Sequence, residues 1–109
     1  MLNIYTDILN WLEQIAPLVR RIRQYDRNLA DQLERASVAV ALNLGEGAYG
    51  RGKRRVAAYG VAAQEMGESV VALDVAERFA YIEPLSLPLR ALSRKILGTL
   101  VRLAFPRRR

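Results

Sequence analysis

Ile4, Ile8, Trp11, Leu12, Ile15, Leu18, Val19, Ile22 and Tyr25 recur at spacings of three and four, which places them on one face of a helix. Pro17 falls inside that stripe. There it removes a backbone hydrogen bond and clashes with the carbonyl four residues back, at ~3 kcal/mol in a straight helix. The stripe keeps its phase across Pro17, so the pattern predicts one kinked helix from about Thr6 to Gln24 rather than two.

Asp26 or Asn28 is placed to cap a second helix, and Asn28 with Asp31 forms a loose capping box. Leu29, Leu33, Ala36, Val40 and Leu44 make its inner face, with Ala39 and Asn43 beside them. Ser37 to Leu44 also alternates like a strand, but the Ala, Leu, Gln, Glu and Arg of the preceding turns favour helix throughout. A third helix is predicted from about Gly52 to Ala80. Val56, Tyr59, Ala63, Met66, Val70, Leu73 and Ala80 mark one of its faces. Ala58, Ala62, Ala72, Ala76 and Phe79 make a second apolar strip, more than one bundle core is expected to absorb. Tyr81 to Pro84 closes that helix, and Ser86 is placed to cap a fourth between Pro84 and Pro88. Leu89, Leu92, Ile96, Leu100 and Leu103 form the inner face of that last helix. Four helices with short connections predict an all-α fold, an antiparallel up-down four-helix bundle. Residues 1–109 read as one domain, with 106–109 a basic C-terminal tail.

The stretch Gly47-Ala48-Tyr49-Gly50-Arg51-Gly52-Lys53-Arg54 differs from the phosphate-binding pattern G-x-x-x-x-G-K-[ST] at one place, where Arg54 stands for Ser or Thr. That loop needs a strand before it and a hydroxyl for magnesium, which Arg54 would repel. The matching strand-and-Asp element, Val70 to Asp74, lies within the periodicity of the third helix. The stretch is therefore expected to be a bend between two helices. Its glycines supply positive φ and close backbone approach. Asn43 and Glu46, three apart, are expected to share a face toward the bundle and to brace this bend with Gly47. A catalytic role for Glu46 with Glu65 or Glu68 is the weaker alternative, since no nucleophile or metal cluster accompanies them.

Composition narrows the chemistry. The chain has 109 residues with no Cys and no His, which excludes disulfides, Cys/His zinc sites, Cys nucleophiles and imidazole triads. No cofactor, metal or catalytic set is expected, and the chain reads as a non-enzyme. MLNIYTDILNWLEQ lacks the basic start and small-residue cleavage site of a signal peptide, and no apolar run approaches the ~20 residues of a spanning helix. The expected location is cytoplasmic, with no membrane insertion.

The charge is +6, from 17 Lys and Arg against 11 Asp and Glu, and Arg dominates. Such an excess suits a polyanion, nucleic acid first and an acidic membrane surface second. Arg51, Lys53, Arg54 and Arg55 cluster at the bend. Arg20, Arg21, Arg23 and Arg27 cluster near the first connection. Between Pro84 and Arg109 there are seven basic residues and no acidic one: Arg90, Arg94, Lys95, Arg102, Arg107, Arg108 and Arg109. A solvated helix face normally mixes signs, so this one-sided face favours RNA or other nucleic acid. An acidic protein partner would read the same charges.

Gln32-Leu33-Glu34-Arg35-Ala36, then Asn43-Leu44-Gly45-Glu46-Gly47, then Tyr49-Gly50-Arg51 resembles a bacterial pattern, that of the four-helix-bundle proteins encoded in intervening sequences of 23S rRNA genes. That family reads QLRRA, N-I-A-E-G and aromatic–Gly–Arg. Asp74 to Ile82 and Leu92 to Leu103 are similar to the ends of its third and fourth helices. Glu34 replaces a usual Arg, Ala39 a usual Ser, and the loop carries one more residue near Ala48. The accessory variability protein of diversity-generating retroelements is a related, Arg-rich bundle. The resemblance implies a homo-oligomer, specifically a pentamer, without established enzymatic activity. It also implies a nucleic-acid-linked role and a protein partner such as a reverse transcriptase.

Overall fold

The computed structural model describes residues 3–106. Four helices follow one another: α1 Asn3–Arg23, α2 Arg27–Tyr49, α3 Gly52–Arg78 and α4 Leu87–Ala104. Each packs antiparallel on its neighbour in the chain, and α1 closes the ring against α4. Every regular element among the described residues is helical, so the residues before the bend form helix and not the strand a phosphate-binding loop requires.

The predicted stripe of α1 is its buried face from Ile4 through Ile8, Trp11, Ile15 and Val19 to Ile22, whereas Tyr25, predicted on the same stripe, lies past the helix and is exposed. Pro17 lies inside the helix on its solvent side, where water can reach the Glu13 carbonyl that loses its helical donor. The cap of α2 is Asp26, whose carboxylate accepts from the Leu29 N–H at 3.0 Å; Asn28 lies within the first turn. Ser86 caps α4 in the same manner, and Pro88 stands in the first turn, where no helical donor is missed.

The middle of both predicted strips of α3 is covered within the chain, while Val56, Phe79 and Ala80 at their ends are exposed. Ala58, Ala62, Ala72 and Ala76 are buried together with Tyr59, Ala63, Met66 and Leu73, because α3 packs between α2 on one side and α4 on the other. The alanines therefore leave no second face for another subunit, contrary to the sequence-based expectation. The exposed apolar side chains include Val38 and Leu42 of α2, Val71 and Val75 of α3, and Phe79 just past its end.

α3 ends in a Schellman turn. The Tyr81 N–H donates to the Ala76 carbonyl and the Ala80 N–H to that of Glu77, both at 2.9 Å. Ala80 takes the left-handed φ of 59° that glycine usually fills there. Just before the turn the nearly buried Glu77 carboxylate accepts from the Leu85 N–H at 2.6 Å and from Arg90 at 2.7 Å, pinning the connection to the start of α4.

Candidate nucleic-acid interface

Two residues, Gly50 and Arg51, separate α2 from α3. The Gly50 N–H donates to the Gly47 carbonyl at 3.2 Å, ending α2, and Gly52 opens α3 with φ 57°, a conformation that a side chain strains. Gly47 makes the close approach. A Cβ added there would stand 2.5 Å from the Tyr59 ring, so α2 and α3 meet backbone to ring at this end. The tight bend presents Arg51, Lys53, Arg54 and Arg55 together, all exposed. Among the described residues none of these four forms an ion pair. The Arg55 guanidinium lies over the Tyr59 ring at 5.6 Å, which holds it beside the bend. The first turn of α3 carries no acidic residue and its cap makes no side-chain bond, so its N–H groups add positive potential to the same surface.

α4 runs toward this end, and exposed Arg102 in its last turn is held by a 3.3 Å bond to Thr99. Arg94 is exposed partway along α4 and has no carboxylate partner among the described residues. Two others predicted to bind are already engaged. Arg90 pairs with the Glu77 carboxylate at 2.7 Å, and Lys95 with Asp7 at 3.0 Å. The one-sided charge of α4 in sequence is thus half neutralised by carboxylates from α3 and α1. Arg107, Arg108 and Arg109 lie outside the described residues. In the cluster near the first connection, Arg23 is taken up by Asp31 and, at 3.4 Å, by Glu34.

Asn43 and Glu46 do not form the expected brace. Glu46 is exposed, and the Asn43 amide donates to the Ala39 carbonyl of its own helix at 2.9 Å. The bend is held by Gly47 against Tyr59 instead. Glu65 and Glu68 neighbour one another on α3, and the buried Oε2 of Glu65 has no hydrogen-bond partner among the described residues. Burial first, then the neighbouring Glu68 carboxyl, push the Glu65 carboxyl above its ordinary range, and Arg35 offsets part of the rise. Among the described residues no three acidic side chains converge as a metal set would.

What sequence reasoning missed is a group of rings at the opposite end of the bundle. Tyr25, Tyr81 and Phe79 stack in succession across the two connections there. Tyr25 and Phe79 continue the apolar spacing of the first and third helices, which predicts them buried, but each stands just past a helix terminus and is exposed.

Searches against protein-family models, curated proteins and solved structures find no match to this chain. Among the described residues no helix is long and apolar enough to cross a membrane.

Proposed function

We propose that this protein is a non-enzymatic, self-associating bundle that binds RNA or other nucleic acid through the surface around the α2–α3 bend. One observation carries the proposal: Arg51, Lys53, Arg54 and Arg55 are all exposed and, among the described residues, without ion pairs, at the open first turn of α3. Guanidinium groups free of carboxylates bind phosphate bidentately, and an array of them binds a backbone irrespective of sequence. The test is anisotropy titration of RNA and of single- and double-stranded DNA at two salt concentrations. Affinity falls steeply with salt, because each phosphate contact releases a counterion. A protein that binds none of them at low salt does not have this function.

A second reading is supported by the apolar side chains left outside the core. Leu42 is 67% and Val71 60% exposed; Val71 and Val75 line one shallow groove and Val38 and Leu42 another, and Gln32 and Arg35 line both. A patch of this kind suits a protein surface, either a second copy of the chain or a nucleic-acid-processing partner. Self-association through it, to a closed ring such as the pentamer implied by the family resemblance, would repeat the arginine bend several times and add avidity. Sedimentation of wild type against Leu42→Asp tests it; a wild-type monomer at micromolar concentration would exclude it.

A further inference from the structure

Tyr25 lies between α1 and α2, while Phe79 and Tyr81 lie between α3 and α4, and the topology places both connections at the end of the bundle away from the arginine bend. Their rings form a column. Tyr25 and Tyr81 have centroids 5.2 Å apart and planes 10° from parallel; Phe79 and Tyr81 are 5.5 Å apart at 16°. Tyr81, common to both contacts, is half-buried, whereas Tyr25 and Phe79 are 56% and 65% exposed. The left-handed turn at Ala80 lets residues two apart bring their rings face to face. Core burial does not require this arrangement, since the outer two rings remain largely in water.

Arginine surrounds the column. Arg21 donates to the Tyr81 carbonyl at 3.3 Å, Arg78 directly precedes Phe79, and Arg20 and Arg27 are exposed at the same end. The nearby carboxylates are mostly occupied. Asp26 accepts the Leu29 N–H, and Glu77 is held by Leu85 and Arg90 with its other oxygen 3.9 Å from the exposed Arg78, which leaves Glu83 exposed. Parallel rings with open faces and flanking arginines match the chemistry of an unpaired strand, whose bases offer π-faces and whose backbone offers phosphates.

We propose that the Tyr25–Tyr81–Phe79 column is a base-stacking site for single-stranded nucleic acid. Bases lie against the open faces of Tyr25 and Phe79 while Arg20, Arg21, Arg27 and Arg78 contact the adjoining phosphates. The site rests on the nucleic-acid function proposed above and adds a strand preference that phosphate contacts at the bend do not supply. Bases held in a duplex cannot reach a ring; unstacked ones can.

The test uses the full chain and short unpaired oligonucleotides carrying 2-aminopurine, with a duplex of equal length beside them. Wild type quenches the 2-aminopurine. Phe79→Ala and Tyr25→Ala each lower single-strand affinity roughly tenfold, leave duplex affinity unchanged, and leave the salt dependence as it was. Phe79→Leu and Tyr25→Leu keep apolar surface without a flat ring, so they lose as much while retaining the fold. If the Leu variants bind single strands as wild type does, the stacking site is wrong while the arginine bend stands. An equal loss on duplex and single strand also overturns it. Absence of wild-type binding to any nucleic acid at low salt removes the bend function as well.

Discussion

The indole N–H of Trp11 donates to the Ser93 hydroxyl at 3.1 Å in the interior of the bundle, and that hydroxyl donates to the Leu89 carbonyl at 3.0 Å. This is a fully buried polar link between α1 and α4. Ser93→Ala leaves a fully buried indole donor unsatisfied, which costs about 1–3 kcal/mol. A urea midpoint lowered by that amount is expected, with an unchanged slope. A midpoint equal to wild type would show that the bond contributes nothing.

Glycine substitutions separate close approach from mere helix interior. Gly47→Ala drives a methyl into the Tyr59 ring, where even an ideal Cβ stands at 2.5 Å, and overpacking of that kind costs about 1–3 kcal/mol. At Gly60, inside α3, an added Cβ meets nothing within 4 Å. Gly60→Ala therefore stabilises by up to about 1 kcal/mol through helix propensity alone. Thermal melts of opposite sign are expected for these two glycine-to-alanine changes, and melts of the same sign would refute the packing at the bend.

The reverse change is favoured at the end of α3. Ala80 holds φ 59° in the Schellman turn, a conformation that disfavours Cβ by roughly 1–2 kcal/mol. Ala80→Gly relieves it but gives more entropy to the unfolded chain, ~0.5–1 kcal/mol. The net is a stabilisation of about 0.5–1 kcal/mol. A lowered melting temperature would contradict the left-handed turn.

Two carboxylates give stability opposite pH dependences. Burial alone would raise the Glu77 carboxyl, but the Leu85 N–H, the Arg90 hydrogen bond and the charges of Arg90 and Arg78 outweigh it and hold it below the ordinary 4.5. Its contribution is present above the unfolded-state value and lost as pH falls through the depressed folded one. Glu65, raised by burial and by Glu68, has the other sign: its contribution is full at acid pH and lost as pH rises through its folded value. Glu77→Gln should lower stability at neutral pH and flatten the acid limb. Glu65→Gln should raise stability at neutral pH and flatten the limb above 4.5. Denaturant midpoints across pH check both signs, and a Glu65→Gln protein less stable than wild type at neutral pH would refute the second.

The helices were legible because one-sided burial writes itself as a spacing: Ile4 to Ile22 predict the buried face of α1, and Ser86 predicts the cap of α4. What covers a second apolar strip was not. Ala58 to Ala76 on α3 read alike whether α2 and α4 of the same chain or another subunit lies over them, and only the tertiary arrangement shows the former. The same gap explains the site. Asn43 and Glu46 share a spacing of three, but the Asn43 amide finds the Ala39 carbonyl first. Arg90 and Lys95 look free along α4 because their partners, Glu77 and Asp7, stand on other helices.

That pairing yields the sharpest prediction about the basic surface. Arg51, Lys53, Arg54 and Arg55 have no ion-pair partner among the described residues, whereas Arg90 and Lys95 already meet carboxylates. Replacing the four bend residues with Gln should weaken RNA binding at low salt and reduce the slope of affinity against salt, by roughly one unit for each phosphate no longer neutralised. The fold should persist, since all four are exposed. Arg90→Gln should do the reverse: it leaves the nearly buried Glu77 without its guanidinium, lowers the melting temperature, and leaves the salt slope unchanged. Lys95→Gln, whose Asp7 partner is better solvated, should alter neither greatly. Anisotropy titrations at two salt concentrations, with melts of each variant, decide it. If Arg90→Gln reduced the slope as much as the bend substitutions, the nucleic-acid surface would run along α4 rather than around the bend.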